Sequence, residues 1–303
     1  MPPTLRASGL MVLSMLLFAF EDLFLKLLSR DLTIGEVLFW NGGVGALVFT
    51  ALMGARRQTP RLGDLRHASV WLRTLGEALC ALTFVAALAL GDLSTVSAIG
   101  QLLPLAMTMG GALILGEAVG WRRWASVAAG FAGAVMIIRP GTEAFHLASI
   151  MALASVLAAV LRDLATRRVP DAVSSGTLTV TAFGASALAG VALMVANGDL
   201  PRLPAGPEIA LLAACVIVGL GGYQSMVVAV RLADLSVIAP FRYTRLIFAL
   251  VLAVVVLGER PDAMTLVGAA VIALSGIYAM WREAQIRRRQ AALAGRVTSR
   301  ETA

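Results

Sequence analysis

Charge is scarce in this sequence. Only 14% of its 303 residues are Asp, Glu, Lys or Arg, against about a quarter in soluble domains, and Lys26 is the only lysine. Histidine and cysteine occur twice each. Cys80 and Cys215 lie inside apolar runs with no CxxC or His/Cys cluster, so a disulfide framework and a metal site both lack support. No phosphate loop, nucleophile motif or paired-histidine set appears. The sequence thus offers no catalytic residue, no metal ligand and no cofactor, and an enzyme reading lacks the groups it needs.

What remains is apolar. Hydrophobic residues make up 59% of the chain and the mean hydropathy is +0.85. A soluble core cannot hide that much apolar surface, so the lipid bilayer is the expected solvent. Helices need about 20 apolar residues to cross the hydrocarbon. Ten segments qualify, at 8–28, 33–54, 68–90, 93–115, 122–138, 147–167, 174–196, 208–230, 235–257 and 262–281. The links between them are rich in Gly, Pro, Asp and Arg, which break helices. The first run extends far beyond a signal-peptide core and lacks a clear small-residue cleavage site, so it reads as a retained first span.

The net charge of +7 is distributed as membrane topology rather than as a nucleic-acid footprint. With the N-terminus inside, sixteen arginines fall on the cytoplasmic side, among them Arg6, Arg56, Arg57, Arg61, Arg122, Arg123, Arg167, Arg168 and Arg231. Only four, Arg30, Arg139, Arg202 and Arg260, fall outside. That bias predicts a multi-pass membrane protein with both termini cytoplasmic. Residues 282–303 form a basic cytoplasmic tail, read as a topology anchor that can touch anionic lipid.

The chain repeats itself. Residues 91–117 and 233–259 align without a gap at a shift of 142, matching Asp92-Leu93-Ser94 to Asp234-Leu235-Ser236 and Leu115-Gly116-Glu117 to Leu257-Gly258-Glu259. Independently, Glu21-Asp22-Leu23 with Lys26 matches Arg162-Asp163-Leu164 with Arg167 at a shift of 141. The expected units are therefore 8–141 and 147–281, each of five spans. Because five is odd, the second is inverted in the membrane relative to the first. Inverted repeats of this kind typify secondary transporters, whose site lies near the midplane between the halves.

Ionisable residues inside a bilayer cost about 2.5–3.5 kcal/mol on insertion scales, so they face partners or cavities. Here they are Glu21, Asp22 and Lys26 in span one, Arg73 and Glu77 in span three, Arg162 and Asp163 in span six, and Arg242 and Arg245 in span nine. Asp22–Lys26, Arg73–Glu77 and Asp163–Arg167 are i,i+4 pairs able to neutralise one another along a helix. Two features escape that reading. Lys26 can neutralise only one of the adjacent acids Glu21 and Asp22, and Arg242 and Arg245 have no acid near them in their own span. Their partners are expected on another helix or on a substrate, opposite carboxylates of spans one, three or six across a polar cavity. Trp40 with Asn41, and Phe241 with Tyr243, are the aromatic candidates for the same wall, the Trp and Tyr each bringing a polar handle. Glycines, in clusters such as Gly42-Gly43 and Gly130–Gly133, are read as close-packing surfaces. Pro104 and Pro240 should kink or unwind spans four and nine.

At these residues the chain resembles the drug/metabolite transporter superfamily and, within it, the EamA family. Ten spans, the five-plus-five duplication and the LGE closing spans four and nine carry the resemblance, over about residues 8–281. Leu246 stands where the second repeat's counterpart of Pro104 would be. Ala239-Pro240-Phe241-Arg242-Tyr243, Glu259-Arg260-Pro261-Asp262 and Trp121-Arg122-Arg123-Trp124 are similar to the branch containing S-adenosylmethionine uptake transporters, as are Asp22 and Lys26. Glu21, Glu77 and Arg245 lie outside that pattern. The resemblance implies a ten-helix all-α membrane protein that moves a small polar metabolite by alternating access, with S-adenosylmethionine or an amino-acid-like solute leading. Export of amino acids or drugs, or riboflavin transport, is the alternative within the superfamily, and a membrane scaffold or receptor is the alternative outside transport. Protons or a counter-substrate are open as coupling partners. A monomer is favoured, since each chain holds both inverted halves.

Overall fold

Every regular element is helical among the residues that the computed structural model describes, namely 3–55, 62–141, 146–170, 172–233 and 235–301. Arg56, Arg57, Arg61 and Asp234 lie outside them. The helices are α1 (Pro3–Asp31), α2 (Ile34–Ala55), α3 (Ala68–Leu90), α4 (Leu93–Gly100), α5 (Leu103–Leu115), α6 (Trp121–Ile138) and α7 (Leu147–Thr166). The second half continues with α8 (Ser175–Asn197), α9 (Gly206–Leu232), α10 (Leu235–Ile238), α11 (Thr244–Val255) and α12 (Ala263–Glu301). Short 3₁₀ turns occupy Leu62–Arg66 and Ala239–Tyr243. Span four is α4 with α5, and span nine is α10, the second 3₁₀ turn and α11, so the chain forms ten spans. Seven of them are long and apolar enough to cross a membrane by length and composition alone. The other three, α1, α6 and span nine, pack into the same bundle, against α9, against α12 and against α1 with α4.

Both internal breaks have a proline at their origin. Pro104 cannot donate the N–H that would have met the Gly100 carbonyl. The backbone tightens just before it, where Gln101 and Leu102 donate to Ala98 and Ile99 three residues back. Pro240 sits inside the 3₁₀ turn that interrupts span nine. The LGE motifs also have a backbone explanation. Gly116 and Gly258 take left-handed φ values of 69° and 70°, open to glycine without a Cβ penalty. Each ends its helix and turns the next residue back, so that the N–H of Glu117 meets the Gly111 carbonyl and that of Glu259 meets Ala253.

Helix pairing reveals the symmetry. The principal partners are α3 with α7, α1 with α9, α2 with α8, α6 with α12, and α4 with α11. Exchanging spans one to five with six to ten carries the α1–α9 pair onto α7–α3 and maps the other three pairs onto themselves. The halves are thus related by a pseudo-twofold axis, with five spans each and opposite directions through the membrane. Close approach along the axis depends on small residues. A Cβ on Gly42 would come within 2.6 Å of the Ala187 backbone nitrogen and 2.7 Å of the Phe183 carbonyl, and one on Gly133 within 2.8 Å of the Gly268 carbonyl. α12 continues as helix through the basic segment to Glu301.

Candidate functional site

Two adjacent acids make α1 a partition. Successive residues on a helix point about 100° apart, so Glu21 and Asp22 face different compartments. Asp22 lines a polar cavity of about 230 Å³ whose wall also includes Cys80, Ser97, Gly100, Gln101, Ser155, Arg162 and Arg245. Glu21 lines a second, aromatic cavity of about 160 Å³, with Phe18, Asn41, Phe49, Phe183, Gly219 and Tyr223.

The polar cavity holds ion pairs drawn from both halves. Arg245 of α11 grips Asp22 of α1 with two bonds, Nη2 to Oδ1 at 2.6 Å and Nε to Oδ2 at 3.0 Å. Its guanidinium also lies 5.4 Å from the Phe18 ring centroid, a favourable cation–π distance. The pair is lopsided: the Asp22 side chain is 3% exposed, while Arg245 keeps 32% of its surface free. Arg162 bonds Asp163 at 2.7 Å and reaches Glu77 of α3 at 3.5 Å. Gly76 makes that crossing possible, because a Cβ there would lie 2.8 Å from the Arg162 backbone nitrogen. Arg242 stands within electrostatic range of Asp163, Arg245 and Arg162 and is exposed rather than locked into a pair. The Ser97 hydroxyl has no hydrogen-bond partner among the described residues.

None of the i,i+4 pairs anticipated from spacing forms a salt bridge along its own helix. Asp22 is taken by Arg245, Glu77 and Asp163 by Arg162. Arg73 donates to the Leu178 carbonyl at 2.8 Å. Arg245 and Arg162 win because they bring bidentate or shared geometry. Lys26 and Arg167 act at opposite ends of the bundle. Lys26 Nζ donates to the Leu88 and Gly91 carbonyls at 2.6 and 2.5 Å, closing the end of α3, with Glu259 and Asp92 in electrostatic range. Glu259 in turn accepts from the Leu93 N–H (2.7 Å), the Ser94 N–H (3.0 Å) and the Ser94 hydroxyl (2.7 Å), capping α4. At the end that holds the termini, Arg167 bonds Glu117 at 2.7 Å, with both side chains about half exposed. The pseudo-twofold relates Arg167 and Glu117 to Lys26 and Glu259.

Other candidates lie elsewhere. Trp40 is not in either cavity: its indole donates to the Arg202 carbonyl at 3.1 Å, at the end opposite the termini. Phe241 packs against the apolar cluster of Met11, Met15 and Ile238. Tyr243 is buried over Gly276, its hydroxyl without a hydrogen-bond partner among the described residues. Asn41 faces the aromatic cavity. Cys80, Ser97, Gln101 and Ser155 escaped sequence reasoning because no charge marks them; the only available signal was Gln101, polar at mid-span and just before Pro104.

Comparison with known proteins agrees with this architecture. A solved crystal structure superposes with a TM-score of 0.62 at 20% identity, covering 92% of this chain and 98% of that one, a likeness of fold. An S-adenosylmethionine uptake transporter from Rickettsia felis is 25% identical over 201 residues, 65% of this chain and 66% of that protein, just under two thirds of its length. A riboflavin transporter from Rhizobium johnstonii is 26% identical over 294 residues and 93% of each chain. One from Vibrio cholerae is 29% identical over 188 residues, 61% of this chain and 62% of that one. The model of the EamA-like transporter family matches twice, at residues 5–139 and 146–281, and the chain belongs to that family as a multi-pass membrane protein of two inverted five-span repeats.

Proposed function

We propose that this chain is a secondary transporter of the bacterial inner membrane that moves a small zwitterionic metabolite, with S-adenosylmethionine or a related amino-acid-like solute as the leading cargo. The observation that carries the reading is one cavity lined by Asp22, Arg162 and Arg245 from both halves, Asp22 paired with Arg245 and Arg162 paired with Asp163 and Glu77. A solute bearing an ammonium or sulfonium and a carboxylate can exchange with those pairs, replacing each internal partner by one of its own charges. Arg242, exposed and beside Asp163, is the natural first contact for a carboxylate.

Alternating access follows from the two bundle ends. The Lys26–Glu259 assembly ties α1, α3, α4 and the end of span nine at the side opposite the termini. Arg167–Glu117 occupies the symmetric place beside the termini. In this reading one assembly loosens as the other tightens, and the arginine bias puts the Arg167 end in the cytoplasm. The protein acts as a monomer and as a carrier rather than an enzyme, with a proton or a counter-substrate as coupling partner.

A flavin is the second reading, favoured by the likeness to riboflavin transporters over most of the chain. Uptake of radiolabelled S-adenosylmethionine into proteoliposomes, with and without S-adenosylhomocysteine inside, separates the readings. Saturable uptake that rises with preloading and is lost in Asp22→Asn supports the first. Riboflavin uptake without S-adenosylmethionine uptake supports the second. If folded protein moves neither solute nor any amino acid, the transport reading fails.

A further inference from the structure

The pseudo-twofold places Glu21 where the other half has Arg162, since the two align in the repeat. Arg162 meets a carboxylate across its helix crossing, Glu77 of α3. Glu21 meets a glycine across its own crossing: a Cβ on Gly219 of α9 would lie 2.9 Å from Glu21 Oε1. Where one half builds an ion pair, the other leaves a carboxylate facing a void. Among the described residues no hydrogen bond or salt bridge reaches Glu21, whose side chain is deep in the bundle yet keeps surface open to the aromatic cavity.

The wall opposite is aromatic. Phe49 stacks on Phe183 with centroids 5.6 Å apart and meets Tyr223 edge-on at 6.4 Å, while Phe18 closes the α1 side. Ring faces carry negative quadrupole and attract organic cations. A carboxylate inside an aromatic enclosure is the donor set for an organic cation. About 160 Å³ admits a compact ring system.

We propose that the aromatic cavity is a second ligand site, separate from the polar cavity across α1, which takes a planar organic cation with Glu21 as counter-charge and Phe49, Phe183 and Tyr223 as the stacking wall. The site supplies the pairing that Gly219 cannot. It stands on binding geometry alone and does not depend on the cargo assigned to the polar cavity.

Binding of p-aminobenzamidine, a fluorescent single-ring cation small enough for the cavity, to the purified full-length protein in detergent tests it. The expected result is saturable binding weakened at least tenfold in Glu21→Gln and similarly in Gly219→Ala, which pushes into the cavity from the opposite helix. Ser97→Ala, in the wall of the polar cavity across α1, should bind as the unaltered protein does. Each variant is checked for monodispersity by size-exclusion chromatography, and Gly219→Ala decides the matter if Glu21→Gln does not fold. The inference is overturned if p-aminobenzamidine does not bind, if Glu21→Gln binds it equally, or if Ser97→Ala rather than Glu21→Gln removes binding. Because no transport is measured, failure of the uptake experiment leaves this result intact, and the reverse.

Discussion

Breaking the Asp22–Arg245 pair from either side should have unequal consequences. Arg245→Ala leaves a carboxylate 3% exposed with no compensating cation, whereas Asp22→Asn leaves a guanidinium that still touches the Phe18 ring and retains surface in the cavity. Removing one partner of a fully enclosed pair costs about 3–5 kcal/mol. Arg245 is a third exposed, so about 2–4 kcal/mol is expected for Arg245→Ala, and about 1–2 kcal/mol for Asp22→Asn, near the worth of its charge-assisted bonds. At roughly 2–4 °C per kcal/mol for a chain of this size, the apparent Tm of Arg245→Ala falls by about 5–15 °C. The assay is thermal unfolding of purified single variants and the double variant. Loss of both charges removes the stranded carboxylate, so the double variant should be more stable than Arg245→Ala alone, with a coupling of about 1–3 kcal/mol. Additive losses, or a greater cost for Asp22→Asn, would refute the reasoning.

Glu259→Gln removes acceptor capacity from the α4 cap; caps are worth about 0.5–2 kcal/mol, so labelling of cavity thiols from the side opposite the termini should rise about twofold to about thirtyfold. Asp262, in the turn before α12, is held down at about 2 by the Thr265 backbone N–H and by Arg139. Its contribution is therefore complete above about pH 4 and lost as pH falls through about 2, so the stability gap between wild type and Asp262→Asn should be flat from pH 5 to 8 and close only in strong acid. A gap that changes between pH 6 and 8 would contradict that assignment. Gly42→Leu drives a side chain into the α8 backbone and should abolish a monodisperse peak on size exclusion, while Gly43→Leu, with open space at its Cβ, should not.

The spans, their breaks and their inversion were legible because each has a local or periodic cause. Length and apolarity mark a helix that crosses lipid, Pro104 and Pro240 mark where two of them tighten, and the aligned Asp-Leu-Ser and Leu-Gly-Glu segments mark the duplication. The need of Arg245 for a partner from another helix was legible too, since its own span contains no acid. The identity of most partners was not. Spacing pointed Asp22 to Lys26, but spacing knows only one helix; it pointed Asp163 to Arg167, whereas the adjacent Arg162 of the same helix takes it. Gly76 brings α3 against Arg162, and the end of α3 presents bare carbonyls to Lys26, facts set by packing between distant segments. The aromatic cavity was hidden for the same reason: Phe49, Phe183 and Tyr223 belong to three different helices and come together only in the bundle. Trp40, polar-handled and at mid-sequence of its predicted span, sits at the end because α2 begins close to it.

The central claim, that the polar cavity opens alternately to the two sides of the membrane around its cargo, is tested most directly at Cys80, the thiol in its wall. With Cys215→Ala leaving Cys80 as the sole cysteine, a membrane-impermeant maleimide is added from either side of oriented vesicles, with and without S-adenosylmethionine. The account predicts labelling from both sides and slower labelling when the solute is present. Labelling from one side only under every condition, at a rate the solute does not change, would contradict it.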